Sequence, residues 1–79
     1  MAQKIKQDLS IGENIRNLRN REGLTQEEVV AQLQVKGLNI SRSAYSQIEG
    51  GTYNIRVSEM VGLKKIFHAE YMDFFAGLD

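Results

Sequence analysis

Apolar residues recur at helical spacing in five stretches of the chain, divided by short polar or glycine-bearing joints. Ile11, Ile15 and Leu18 fall at i, i+4 and i+7, a single stripe with Arg16, Asn17 and Asn20 on the opposite side. Ser10 followed by Glu13 predicts a capping-box start for this first helix, and Gly23 predicts its end. Thr25 and Glu28 form a second capping box, with Leu24 and Val29 at the staple positions and Val29, Val30 and Leu33 facing inward. Gly37 suits a C-cap, which ends helix 2 near Val35 or Lys36. Ser41 caps a third helix, with Ile40 and Tyr45 as its staple. Ala44, Tyr45 and Ile48 point inward there, and Gly50-Gly51 stops it. A fourth helix is predicted from a cap at Ser58, with Met60, Leu63 and Phe67 as its stripe. Residues 70–76 form a last short helix that ends at Gly77. The expected class is all-α, a compact five-helix bundle. Residues 1–8 are polar without periodicity and read as a flexible N-terminal tail, leaving 9–79 as the domain.

Composition narrows what such a bundle can do. Seventy-nine residues make one small domain with a modest core. Without cysteine, neither a disulfide nor a thiolate metal site can reinforce it. No apolar run approaches the ~20 residues of a membrane span, and the N-terminus lacks a signal-peptide pattern, so a soluble cytoplasmic protein is expected. His68 is the only histidine and falls at a helix end, which suits a cap better than a metal ligand. The serines at 41, 43 and 46 have no histidine base at recognisable spacing, and no phosphate-cradling glycine loop appears. The expectation is a non-enzyme without metal or cofactor.

Net charge is zero, from ten basic and ten acidic residues, which argues mildly against nucleic acid. The distribution is uneven, however. Lys4, Lys6, Arg16, Arg19 and Arg21 crowd the first 21 residues, whereas Glu70, Asp73 and Asp79 make the end acidic. One basic side remains available.

The outward face of helix 3 carries Arg42, Ser43, Ser46 and Gln47. A purely solvated face favours Glu, Lys and Gln. Arginine can instead bond guanine O6 and N7 bidentately, glutamine can bond adenine N6 and N7, and serine is small enough for close approach. The stretch 25–49 therefore reads as a helix-turn-helix whose second helix enters the DNA major groove. A plain solvated face is the competing account.

From Ile11 to about Leu78 the chain resembles the Cro/CI-type helix-turn-helix family, the XRE family of bacterial and phage repressors, of lambda-repressor-like architecture. The matching segments are IGENIRNLRNREGLTQEEVVAQL, ISRSAYSQIEGG and LKKIFHAEYMDFF. The resemblance implies phosphate contacts from Gln26, with help from the Thr25 amide. It implies base reading by Arg42, Ser43 and Gln47, with Ser41 and Ser46 beside them; Ser41 is assigned to phosphate. Thr52, Tyr53, Asn54 and Arg56 fall in the loop that grips the DNA backbone in relatives. Arg19 and Glu49 match a partly buried structural ion pair. Three departures stand out: a helix 2–helix 3 connection at 34–40 longer than the usual turn, Val30 and Gln34 in place of small residues, and Lys64 where relatives bury alanine. Lys36 in that connection either reaches the DNA backbone or sits in solvent.

The expected function is a sequence-specific DNA-binding transcriptional regulator, a repressor acting as a homodimer on a two-fold operator of double-stranded DNA. Tyr71, Phe75 and Leu78 are candidate dimer contacts, with ordinary core packing as their alternative and Phe74 assigned to the core. Two other readings stay open. One is a protein-interaction module such as an antitoxin or adaptor, and the other is the DNA-binding head of a longer regulator.

Overall fold

The computed structural model describes residues 10–78, and the tail expected at 1–8 lies outside them. Among the described residues the elements are α1 (Gly12–Arg21), α2 (Gln26–Val35), α3 (Arg42–Gly50), α4 (Val57–Phe67) and a 3-10 helix (Tyr71–Phe75). The class is all-helical, but the fifth element is not an α-helix. Five residues are too few to repay α-helix nucleation without strong support, and a 3-10 turn closes in a shorter span. Here the Glu70 N–H donates to the Asp73 carboxylate at 2.9 Å to start it.

Caps explain most of the boundaries. At α2 the Thr25 hydroxyl accepts from the Glu28 N–H at 3.1 Å, and the Glu28 carboxylate accepts from the Thr25 N–H at 2.8 Å. At α3 the Ser41 hydroxyl accepts from the Ala44 N–H. Two predicted starts are wrong. Ser10 does not form a capping box; its hydroxyl accepts from the Gly12 N–H, and Ile11 occupies the N-cap position. Ser58 does not cap α4, whose N-cap is Arg56, two residues earlier. There the buried Glu59 carboxylate reaches back to accept from the Arg56 N–H at 2.8 Å and also receives the Tyr53 hydroxyl at 3.1 Å.

The helix ends share one device. Behind α1, Leu24 N–H reaches the Arg19 carbonyl while Gly23 sits at φ +71°. Behind α2, Leu38 N–H reaches the Leu33 carbonyl while Gly37 sits at φ +88°. These are Schellman closures, which satisfy the last carbonyls and reverse the chain. Behind α4 the same left-handed position is taken by His68 at φ 52°, and its Nδ1 lies 3.1 Å from a Glu22 carboxylate oxygen.

The core gathers Ile15, Val29, Leu33, Tyr45, Ile48, Ile55, Leu63, Phe67 and Phe74, all essentially removed from solvent. Helix α3 packs against both α1 and α2, α4 packs against α2, and the 3-10 helix packs against α1. Two bonds from the Asn14 amide, to the carbonyls of Phe74 and Ala76, fasten that last contact. Helix α2 ends at Val35, as the Gly37 stop predicts, so the connection is shorter than 34–40. Gln34 and Val35 still belong to α2, and the Gln34 amide spans the joint by donating to the Ile40 carbonyl at 3.1 Å. Leu38 packs partly into the core above Gly62, so α3 is held at a defined angle.

Candidate nucleic-acid interface

Tyr45, Ile48 and Glu49 are the buried side of α3, and that burial decides what the helix shows outside. Arg42, Ser43, Ser46 and Gln47 are all exposed on the other side, joined at the helix start by Ser41. Ser41 already uses its oxygen as the cap, which leaves its hydroxyl proton free to donate.

Behind this face lies a carboxylate hub. Glu49 is 5% exposed and receives four hydrogen bonds from three helices. Arg19 of α1 makes two of them, Nε to Oε2 at 2.6 Å and Nη2 to Oε1 at 3.1 Å. The Tyr45 hydroxyl donates to Oε2 at 2.6 Å, and Gln26 of α2 donates through Nε2 to Oε1 at 3.0 Å. Burial works against ionisation of Glu49 and is the largest single influence. The bonds from Arg19, Tyr45 and Gln26 together outweigh it and hold the carboxyl below its ordinary range. Burial, and then the adjacent carboxylate, push the Tyr45 hydroxyl strongly upward, so it remains a donor. The Arg19 guanidinium also donates to the Leu24 carbonyl at 2.9 Å, tying the hub to the α1–α2 turn.

The hub reaches the surface through Gln26. With its Nε2 committed to Glu49, the Gln26 carbonyl oxygen faces outward and accepts from the Arg42 Nε at 3.3 Å. The same guanidinium lies 3.6 Å from the Glu27 carboxylate. The first residue of the exposed α3 face is therefore held against the start of α2 by one amide and one carboxylate.

The other sequence-assigned residues are placed as follows. Thr25 is exposed beside Gln26, but its amide is taken by Glu28, so it has no N–H to offer a phosphate. The first-turn amides of Gln26 and Glu27 have no intrahelical acceptor. Thr52, Asn54 and Arg56 are exposed on the loop between α3 and α4, whereas Tyr53 is half-buried with its hydroxyl on Glu59. Tyr71 and Phe75 are 44% and 46% exposed on the 3-10 helix, Leu78 packs partly against the core, and Phe74 is fully buried. Lys64 stands with its ammonium 5.2 Å from the centre of the Tyr71 ring, a cation–π distance.

Sequence reasoning missed Gln26 as a partner of Glu49 and Glu27 as a partner of Arg42. The Tyr45–Glu49 bond had a visible signal, the i, i+4 spacing on one helix. The other two contacts span 23 and 15 residues and have no local signature. Met72, 82% exposed beside Tyr71 and Phe75, was also missed as part of the apolar face there.

Among the described residues no cluster of potential metal ligands occurs, and no helix is long and apolar enough to cross a membrane. A family model described as a helix-turn-helix domain matches residues 10–69. In three dimensions the chain is similar to the restriction-modification controller protein C.AhdI from Aeromonas hydrophila. The TM-score is 0.68 at 28% identity, over 82% of this chain and 91% of that one. No curated protein matches the chain in sequence. The capped α2–α3 pair, the hub that fixes their angle and these two similarities agree: the chain belongs to the helix-turn-helix family, in its Cro/CI-type form.

Proposed function

We propose that the protein is a sequence-specific DNA-binding regulator of transcription that lays α3 in the major groove. The observation that carries this reading is the exposed row Arg42, Ser43, Ser46 and Gln47 on a helix whose inner side is fixed by Glu49. Such a row offers bidentate donors with small residues between them, on a support that does not yield when contacts form. The open first-turn amides of Gln26 and Glu27, with the second Nε2 proton of Gln26, meet one phosphate. Ser41, Thr52, Asn54 and Arg56 meet others. Tyr53 contributes its position rather than its hydroxyl. Similarity to a protein described as a restriction-modification controller supports a regulatory role.

One α3 reads only a few base pairs, so the protein acts as a homodimer on a two-fold site with half-sites ~34 Å apart, and represses by occupying a promoter. Tyr71, Phe75 and Leu78, extended by the exposed Met72, form the dimer face. No effector and no cofactor enter this scheme, and the site of action is the cytoplasm. A second reading, a module that binds another protein, draws on the same exposed apolar face and on the zero net charge.

Two substitutions test the interface. Arg42→Ala should cost ~1–3 kcal/mol on a duplex selected by the wild-type protein and relax the preference at one base position. Arg56→Ala should weaken selected and scrambled duplexes alike and lower the salt slope by about 0.9. Equal losses on both duplexes for Arg42→Ala would refute its base-reading role. Salt-insensitive binding by the wild type would favour the protein-partner reading.

A further inference from the structure

Arg42 is the most versatile DNA-binding side chain on α3, and in the free protein it is not idle. Its Nε donates to the Gln26 carbonyl oxygen at 3.3 Å, and its Nη1 lies 3.6 Å from the Glu27 carboxylate. The first contact is aimed by the buried hub, because Gln26 is anchored to Glu49 through its other end. The second is a charge contact at the surface, with Arg42 57% and Glu27 79% exposed in their side chains. An exposed pair of this kind is weak, worth no more than a single good contact can replace. It also puts a negative charge at the α2 start, where Gln26 is to meet phosphate. A carboxylate there opposes generic attraction to DNA.

We infer that Glu27 is a specificity-determining residue, one that keeps Arg42 paired until a matching base edge is offered. This rests on the DNA-binding reading above. An unpaired arginine bonds any phosphate and so adds affinity on every sequence, which erodes discrimination. Paired with Glu27, Arg42 must give up that contact to reach a phosphate, so it adds less on an unmatched duplex. On a matched one, two parallel bonds to guanine O6 and N7 exceed the single surface contact that is given up. The acid next to the phosphate site thus selects between two uses of one arginine. Gln26 holds the guanidinium in the same place for both.

The test is a double-mutant cycle of Glu27→Gln and Arg42→Ala. It is read by fluorescence anisotropy on a selected and a scrambled duplex between 50 and 200 mM salt (about the range where phosphate contacts dominate). Glu27→Gln should tighten the scrambled duplex about three- to ten-fold at low salt and steepen its salt slope by about 0.9, with a smaller gain on the selected duplex. In the Arg42→Ala background both duplexes should gain alike, because only the general repulsion is then relieved. Where Arg42 is retained, equal gains on the two duplexes from Glu27→Gln, or no gain on either, overturn the inference and leave the DNA reading standing. A wild-type chain that retains neither duplex overturns the DNA reading and this inference with it. Both substituted side chains are exposed, so unchanged melting temperatures are expected and show that the fold is intact.

Discussion

Glu49→Ala should lower the stability of the protein by about 3 kcal/mol, roughly 12–24 °C in melting temperature for a chain of this size. The carboxylate is the common acceptor for Arg19, Tyr45 and Gln26, so its loss strands one guanidinium, one buried hydroxyl and one amide at once. Removing one partner of a buried pair costs more than the pair itself contributes, because the survivor keeps its desolvation penalty. Arg19 retains some access to water and its bond to Leu24, which places the loss toward the lower end of the usual range. Glu49→Gln, which keeps the shape, should lose less.

The pH dependence has a defined sign. Glu49 is held below the ordinary carboxylate value of 4.5, so its contribution is fully present above that pH. It is lost as pH falls through the lower folded value. Chemical denaturation of the wild type and Glu49→Gln from pH 7 downward should show the two stabilities converging in acid. A parallel course would remove Glu49 from the account of the fold.

Gly12→Ala should destabilise by roughly 2–3 kcal/mol although alanine is the better helix former. Gly12 is buried where the start of α1 presses on the end of α3, and an added Cβ would meet the Ile48 carbonyl oxygen at 2.6 Å and clash with that of Glu49. Those neighbours are backbone, so no side chain can swing aside. Helix α1 must instead back away from α3, loosening Ile11 and Ile15 in the core and pulling Arg19 from Glu49. Gly50→Ala provides the comparison. It also lies in a helix, but its added Cβ would meet nothing within 4 Å, so a gain of about 0.5–1 kcal/mol is expected. Urea unfolding of both variants measures the contrast, and equal effects of one sign would show that the α1–α3 approach is not tight.

The same close approach shows why some of this molecule is readable in its sequence and some is not. Caps at Thr25 and Ser41 are local: a hydroxyl, a carboxylate and the amides they bind lie within four residues. The apolar stripes of α1, α2 and α4 follow from spacing alone and are buried where spacing puts them. Ser10 carries the same local signal as Thr25 yet does not cap, and its hydroxyl serves the amide of Gly12, the residue pressed against α3. At Ser58 a stronger competitor wins, since Glu59 is buried and bonded to both Arg56 and Tyr53.

For the interface, helical period places Arg42, Ser43, Ser46 and Gln47 outward without further help. What those residues do with their neighbours is not periodic. The Gln26–Glu49 and Arg42–Glu27 contacts arise only once α2 and α3 are packed. The Arg19–Glu49 pair is legible only through the family resemblance, because thirty residues separate its members.

Sequence reading by α3 underlies every prediction made for the interface. Its most direct measurement is the affinity of the wild-type protein for a duplex selected from a random pool and for a scrambled duplex of equal composition, followed over salt. The selected duplex should bind at least about 10³-fold tighter, with affinity for both falling linearly in logarithm as salt rises. Equal affinities for the two duplexes, or binding indifferent to salt, would contradict it.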